Sequence, residues 1–128
     1  MAASGGTRYN WEELPLEELN PMIGRRLLTG ERMMIAHVYL QAGAIVPRHE
    51  HDNEQLTYIL EGTLRLWLGL DEDEEMFDIR AGEVLHIPPN VPHEVHIGPE
   101  GAVIVDVFSP PREDWQALDD LDPRPHRL

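Results

Sequence analysis

The sequence predicts an all-β domain built as an antiparallel sandwich or barrel. From Gly24 onward, short apolar runs are separated by Gly, Pro, Asn and Asp at a spacing of about 8 to 12 residues, which is typical of such folds. The clearest run, Thr63–Leu70, alternates leucine with other residues and so predicts one buried strand face. With 128 residues, 41% of them hydrophobic, the chain has room for one domain with a real core.

The N-terminal part of the chain is expected to precede the barrel, which we place at about residues 22–109 of a single domain covering 1–128. Residues 1–10 are predicted to be a flexible tail. The segment from Trp11 to Asn20 is predicted to be an irregular lead-in with room for one helical turn, because Pro15 interrupts its apolar residues.

Eight strands are predicted, with a hairpin turn at Glu61-Gly62 that uses the freedom of Gly62 to adopt positive φ. The predicted strands are Arg25–Thr29, Arg32–Leu40, Gln55–Leu60, Thr63–Leu70, Glu74–Ile79, Glu83–Ile87, His93–Ile97 and Ala102–Phe108.

A short C-terminal helix is expected after the last strand. Ser109-Pro110-Pro111 suits a helix cap and first turn, and the acidic residues Glu113 and Asp114 suit a helix N-terminus. Apolar residues then recur at a period of three, and two prolines end the pattern. These residues are Trp115, Leu118, Leu121, Pro123 and Pro125.

Composition narrows the classes of partner. The formal net charge of −14 argues against nucleic acid, whose phosphates are bound by Lys and Arg, but permits a small anionic substrate. The acidic stretches 71–75 and 113–122 are interpreted as solvated loop and helix face. There is no cysteine, no membrane-length apolar run and no signal peptide, so we expect a cytoplasmic protein that binds no membrane.

Four residues form a candidate metal site. His49 and His51 share one face of an extended segment, Gln55 follows as the next strand begins, and His93 follows a proline-rich turn. A closed β fold can bring them together, and imidazole with an oxygen ligand suits a divalent Zn, Ni, Fe or Mn ion. The alternative is that the His-x-His pair is a surface feature.

The other histidines are interpreted differently. His37 and His86 lie in apolar strands and are predicted to line or flank the core. His96 is out of phase with His93 and is predicted to point outward, and His126 belongs to the tail.

Two sequence motifs resemble those of the cupin family. The first cupin motif is similar to the pattern Gly43-(five residues)-His49-x-His51-(three residues)-Gln55-(six residues)-Gly62. The one departure is Gln55, where the motif usually has Glu. The second cupin motif is similar to the pattern Gly82-(five residues)-Pro88-x-Asn90-(two residues)-His93. The resemblance implies a cupin, or double-stranded β-helix (jelly-roll), barrel that binds a metal ion. Asn90 stands where Gly is usual, and we expect it to adopt the same left-handed conformation.

The neutral ligand set has a chemical consequence. Three imidazoles and the Gln55 amide leave a divalent ion with its full charge, so it would be a stronger Lewis acid than one bound by Glu. It would also favour anionic ligands. The alternative is that Gln55 ligates loosely and the metal simply binds more weakly.

A second group lies at the end of the last predicted strand. Asp106 and Phe108 share a face, and an Asp within an apolar run is expected to be solvated, paired or functional. Arg112 has the planar fork that binds a carboxylate. Chemistry alone supports a second interpretation equally well. In it, Asp106 points outward and Arg112 only solvates a helix.

The stretch Asp106-x-Phe108-Ser-Pro-Pro-Arg112-Glu-Asp, following a Gln-type first motif, resembles the small pectin-degradation cupins. Those proteins linearise 4,5-unsaturated monouronates. The resemblance implies metal ligands His49, His51, Gln55 and His93 and catalytic residues Asp106, Phe108 and Arg112. It also implies a small anionic sugar substrate and, by analogy, a homodimer.

The resemblance therefore implies a metal-dependent enzyme that hydrates and opens unsaturated uronates. Two alternatives remain open at this point: a cupin dioxygenase, and a non-enzymatic module that binds a sugar or another small molecule.

Overall fold

The computed structural model describes residues 4–116, and within that range the protein is almost entirely β-sheet. Three short 3-10 turns, Trp11–Glu13, Asp71–Asp73 and Glu113–Gln116, accompany the strands. The strands are β1 (Glu17–Asn20), β2 (Ile23–Thr29), β3 (Met34–Leu40), β4 (Ile45–His49), β5 (Glu54–Leu68), β6 (Glu75–Arg80), β7 (Val84–Ile87) and β8 (His93–Ser109). No helix in residues 4–116 is long and apolar enough to cross a membrane.

Two long strands organise the fold. All strand pairs are antiparallel, in the order β1-β2-β3-β8-β5-β6, with β4 paired to β8 and β7 paired to β5. The first part of β8 pairs with β4 and its second part with β3. Likewise, β5 pairs with β7 near its start and with β6 near its end. Because each long strand serves two groups of neighbours, the sheet wraps into two facing layers, which confirms the jelly-roll prediction.

The core lies between these layers. Along β3, buried residues alternate with half-buried ones from Met34 to Leu40, as period-two strand geometry requires. Leu64 and Leu66 of β5 are 3% and 1% exposed, so the predicted buried face of Thr63–Leu70 is confirmed there. The pattern ends at Leu70, which is 48% exposed and lies beyond the strand.

The predicted hairpin at Glu61-Gly62 is wrong. The chain continues through both residues as one strand, β5, and the register with β8 shifts around Gly62. Gly62 has φ of +82°, and a Cβ there would meet the Gly101 carbonyl oxygen at 1.9 Å. The glycine is therefore needed for a bulge at which two strands approach closely, and local sequence does not distinguish this from a turn. Similarly, the two predicted strands His93–Ile97 and Ala102–Phe108 are one strand, β8.

Two edge strands were missed by the sequence prediction. The expected irregular lead-in contains the Trp11–Glu13 turn, capped by Asn10, but also β1, which pairs with β2. The other missed strand, β4, contains Pro47, which a strand tolerates when it pairs on one side only. Both strands are recognised from their pairing with β2 or β8 and not from an alternating pattern in their own residues.

The C-terminal helix prediction is only partly covered by the described residues. Ser109 ends β8 and its hydroxyl donates to the Arg32 carbonyl 2.8 Å away, so it is not a helix cap. The turn begins instead at Glu113. Leu118, Leu121, Pro123, Pro125 and His126 lie outside the described residues. The homodimer, the single domain over 1–128 and the flexible tail stay predictions.

Candidate metal centre and its cavity

Strand pairing brings the distant histidines together. His49 ends β4, His93 begins β8, and the two residues are direct partners in the antiparallel register. His51 lies two residues beyond β4, in the loop that follows this strand. Asn90 anchors this loop, because its N–H donates to the His51 carbonyl oxygen at 2.8 Å. Asn90 has φ of +61°, which confirms the expected left-handed turn.

The three rings are oriented by backbone carbonyl groups. Nδ1 of His49 lies 2.8 Å from the Pro47 oxygen, Nδ1 of His51 lies 3.0 Å from Asn53, and Nδ1 of His93 lies 2.9 Å from Val91. A carbonyl can only accept, so each Nδ1 carries the proton and each Nε2 keeps a free lone pair. One nitrogen of each ring lies within 4.8 Å of the others. Three histidines arranged in this way could hold a metal ion.

Burial keeps these rings neutral, as metal ligation requires. Removal from water lowers the pKa of His49 to about 4 and the pKa of His93 to about 3. The pKa of His51 is also lowered, chiefly by burial and then by the nearby Arg112 guanidinium. Neutral imidazoles therefore prevail at physiological pH.

Two further observations fit a cation. Nε2 of His93 is fully buried and has no hydrogen-bond partner among residues 4–116. In addition, Nε2 of His51 lies 3.0 Å from Oε1 of Gln55, although both atoms are acceptors once Nδ1 holds the proton. Two lone pairs at this distance repel each other, and a cation between them would convert the repulsion into ligation. The residues present therefore fit a divalent metal ion.

The Gln55 amide is oriented by a buried hydrogen-bond network. Its Nε2 donates to Oγ1 of Thr57 at 2.8 Å and to Oδ1 of Asp106 at 3.2 Å, while Thr57 donates to the same Oδ1 at 2.7 Å. Both N–H groups are thus directed at Asp106 and Thr57, which leaves the amide oxygen facing the histidines. A Glu could not replace this amide without a proton, because its second oxygen would face the Asp106 carboxylate.

Asp106 points into the barrel, so the outward interpretation is wrong. It is 4% exposed and pairs with Ala36 on β3 and Thr57 on β5. Burial raises the pKa of Asp106 to about 6, against the opposing effect of the hydrogen bonds from Thr57 and Gln55. A buried carboxyl group beside the candidate ligands can therefore hold or release a proton near neutral pH.

Arg112 lies over two aromatic rings and is already paired. Its guanidinium stacks 5.2 Å from the Phe108 centroid and 4.6 Å from that of Trp115. Nε and Nη2 donate to the two carboxylate oxygens of Asp114, which is the bidentate geometry expected of an Arg–carboxylate pair. In the free protein the Arg112 fork therefore binds a carboxylate of its own chain, and its predicted role as a clamp for a substrate carboxylate stays a prediction.

Phe108 takes a supporting position. It is 0% exposed, and its ring lies edge-on to His51 at 5.7 Å and to Trp115 at 4.9 Å. It is not among the side chains that line the cavity. The ring therefore backs a candidate metal ligand, and its predicted catalytic role stays a prediction.

Most of these groups, but neither His51 nor Phe108, line one end of a cavity of about 300 Å³ inside the barrel. Its polar end includes His49, His93, Gln55, Thr57, Asp106, Arg112 and Asp114. The rest of the wall is largely aliphatic, with Leu19, Ile23, Val38, Leu40, Ile45, Val46, Leu64, Leu66, Val95, Ile97 and Ile104. A concave, mainly apolar site with a few converging polar groups is the usual form of a small-molecule site.

Comparison with known proteins places the chain in a family. The family model described as "Cupin domain" matches residues 36–108, which is more than half of the chain. The chain belongs to the cupin family. Among curated proteins, the cupin is 32% identical over 106 residues to the pectin degradation protein KdgF of Dickeya dadantii, covering 81% of this chain and 93% of that protein. It is also 28% identical over 105 residues to an uncharacterised protein of Methanocaldococcus jannaschii, covering 79% and 81%.

Solved structures agree on the fold. An RmlC-like cupin from Shewanella frigidimarina matches with a TM-score of 0.75 and 27% identity, covering 84% of this chain and 93% of that one. KdgF from Halomonas sp. matches with a TM-score of 0.77 and 22% identity, covering 86% and 98%. At 22% identity, the match to the Halomonas structure supports a shared fold alone.

Three other histidines of the described part of this cupin, His37, His86 and His96, lie on the outer face of the barrel. His37 stacks on Trp11 with ring centroids 3.8 Å apart, and His86 is 2.7 Å from an exposed Glu54 carboxylate oxygen. Both therefore flank the core from the outer face, and neither lines the cavity. His96 also lies on the outer face, as predicted, where it contacts the Glu94 carboxylate at 2.7 Å.

Three site residues were missed by sequence reasoning. Thr57 shares the face of Gln55 two residues away, and this spacing could have identified it. Asp114 and Trp115 had been assigned only to a solvated helix face and a packing position. Their part in holding Arg112 depends on how the chain turns after β8, which no local pattern indicates.

Proposed function

We propose that this cupin is a metal-dependent enzyme that linearises 4,5-unsaturated monouronates or closely related sugar acids. The 32% identity to a pectin degradation protein over 81% of the chain carries the proposal. The site geometry supports it, since Asp106 and Arg112 share the polar end of the cavity with three of the four candidate metal ligands, His49, Gln55 and His93.

The proposed metal ligands are His49, His51, Gln55 and His93. All four are neutral, so a bound divalent ion would supply a strong Lewis acid for an anionic, oxygen-rich substrate. Gln55 would be held in its ligating orientation by Thr57 and Asp106 through the hydrogen bonds described above.

The proposed reaction needs no oxidant. Water adds across the C4–C5 double bond, with a proton going to C4 and the hydroxyl group to C5. The resulting hemiketal loses its C5 hydroxyl proton as the bond between C5 and the ring oxygen breaks, which leaves a ketone at C5. The ring oxygen takes up a proton and stays on C1, where loss of water then gives the open-chain aldehyde. Asp106 is the proposed proton donor and acceptor, because it is a carboxyl group that lines the cavity beside Gln55.

Arg112 is proposed to bind the substrate carboxylate. Its fork is occupied by Asp114 in the free protein, and a substrate carboxylate would take the place of that side chain. Stacking on Phe108 and Trp115 would keep the guanidinium in position during the exchange. Phe108 would contribute by fixing both Arg112 and His51.

The test follows the ultraviolet absorbance of the C4–C5 double bond in an unsaturated monouronate, with dissolved oxygen recorded in parallel. Asp106→Asn should lower kcat by about 100- to 10,000-fold, the usual contribution of general acid–base catalysis. Metal content is measured in the same sample, because Asp106 also orients Gln55. The exposed Asp78→Asn on β6 is the matched control and should keep wild-type rates.

Arg112→Ala should mainly raise KM, and Arg112→Lys should restore only part of the affinity because it lacks the planar fork. Wild-type rates in Asp106→Asn would remove Asp106 from the mechanism. Oxygen consumption coupled to turnover would favour the dioxygenase alternative. The absence of any absorbance change with several metals would contradict the proposed function.

A further inference from the structure

The cavity continues well beyond the polar end into an aliphatic end. We define the aliphatic end by six side chains of β3, β5 and β8: Val38, Leu40, Leu64, Leu66, Ile97 and Ile104. Each of them is at most 7% exposed, and none carries a hydrogen-bonding group. Both ends belong to one continuous space of about 300 Å³.

The proposed uronate would not make use of this aliphatic end. The unsaturated uronate carries hydroxyl groups on C1, C2 and C3, and a hydroxyl buried without a partner costs about 1–3 kcal/mol. The polar residues of the cavity wall, among them Asn20, Arg48, Glu50, Gln55 and Asp106, could pair with its polar groups, and none of them belongs to the aliphatic end. Water is also poorly accommodated at the aliphatic end, since an apolar cavity of about 150 Å³ can remain dry and bind hydrocarbon.

We propose that the aliphatic end binds the hydrocarbon part of a small amphipathic monocarboxylic acid whose carboxylate lies at the polar end. The acid head suits that end, where the Arg112 fork and a cation held by neutral ligands would each attract a carboxylate. The hydrocarbon suits the aliphatic end because it loses no hydrogen bonds on burial. A volume of about 300 Å³ lies at the lower limit for ligand sites, which favours a short chain.

This binding does not depend on the proposed reaction, so the two ideas can fail separately. Acetate, butanoate and hexanoate are titrated into the purified, metal-containing protein by calorimetry, with gluconate as a polyhydroxylated acid of equal charge. A buried methylene group contributes about fourfold to affinity, so each step of two carbons should tighten binding by roughly 15-fold. Gluconate should bind no better than acetate.

Cavity-filling variants locate the binding. Val38→Phe places an aromatic ring, which is larger than the valine side chain, in the aliphatic end. It should remove the increase in affinity from acetate to hexanoate while metal content stays unchanged. Val84→Phe is the matched control, because Val84 is 57% exposed on β7 and lies outside the cavity. Leu40→Phe is the second variant if Val38→Phe does not fold.

Equal affinities for acetate and hexanoate in the wild-type protein would overturn the inference even if neither variant folds. Chain-length dependence that survives in a folded Val38→Phe or Leu40→Phe protein would also overturn it. If uronate is linearised while hexanoate does not bind, only this inference fails. If hexanoate binds and no uronate is turned over, only the proposed function fails.

Discussion

Two groups of three histidines, inside and outside the barrel, show what turns a histidine into a candidate ligand. The inner group is His49, His51 and His93, and the outer group is His37, His86 and His96. Each inner ring is held at Nδ1 by a backbone carbonyl, and one nitrogen of each ring lies within 4.8 Å of a nitrogen of the other two. In the outer group, His86 and His96 contact carboxylates through Nε2, and His37 stacks on Trp11.

The difference lies in which nitrogen is already engaged. A carboxylate at Nε2, as in His86 and His96, occupies the atom that would bind a metal. A carbonyl at Nδ1 holds the neutral tautomer and leaves Nε2 available. Similar side chains therefore behave differently because of their first hydrogen-bond partner.

The largest expected effect comes from exchanging one member of each group for alanine. His93→Ala should weaken metal binding by about 100-fold or more, since it removes a direct ligand from the site. His96→Ala is the control from the same strand and should keep its metal. Both proteins should remain folded, because the core is apolar and does not require the ion. Elemental analysis after gel filtration measures occupancy, and full occupancy in His93→Ala would refute the ligand assignment.

A second experiment exchanges the partners of the Gln55–Asp106 hydrogen bond. Gln55→Glu alone places two carboxylates at the 3.2 Å contact, so one must take up a proton and metal binding becomes strongly pH-dependent. The double variant Gln55→Glu/Asp106→Asn restores a donor facing an acceptor. It should recover metal binding to within about 10-fold of wild type while staying inactive. Metal affinities that are identical in the single and double variants would show that this contact does not orient residue 55.

A smaller effect is expected from Thr57→Val, which keeps the side-chain shape and removes the hydroxyl group. The Gln55 amide loses one of its two acceptors, so its oxygen is less firmly directed at the histidines. Loss of such an orienting partner should weaken metal binding by roughly 10-fold. Thr63→Val, on an exposed position of the same strand, is the control for the substitution. Competition with a chelator measures both affinities.

The smallest effect concerns the outer group. His37→Ala removes the stack on Trp11 and should lower the free energy of unfolding by about 1 kcal/mol, with no change in metal content. Burial, and then the charge of Arg26, lowers the pKa of His37. The folded state therefore prefers the neutral ring, and its stabilisation is present above the unfolded pKa of about 6.5 and falls as pH drops below it. Urea unfolding at pH 8 and pH 5 tests this, and a larger loss at pH 5 would contradict it.

The strand regions and candidate ligands could be predicted because they leave local signals. Alternation identified Thr63–Leu70, and motif spacing identified His49, His51, Gln55 and His93. The bulge at Gly62 could not be recognised, since a glycine with positive φ serves a turn or a bulge equally well. Asp114 was missed as a partner of Arg112 because their pairing depends on the turn after β8.

The sequence by itself determined the fold class, the ligand types and the neutral charge of the candidate ligand set, because these depend on residue identity and on periodicity. Only the tertiary structure decided that Asp106 faces inward, that Gln55 directs its oxygen at the histidines and that the cavity has an aliphatic end. Each of these depends on residues far apart in the chain, such as Thr57 and Asp106, which strand pairing makes neighbours. A hydrogen bond or a cavity wall between such residues leaves no trace in local periodicity.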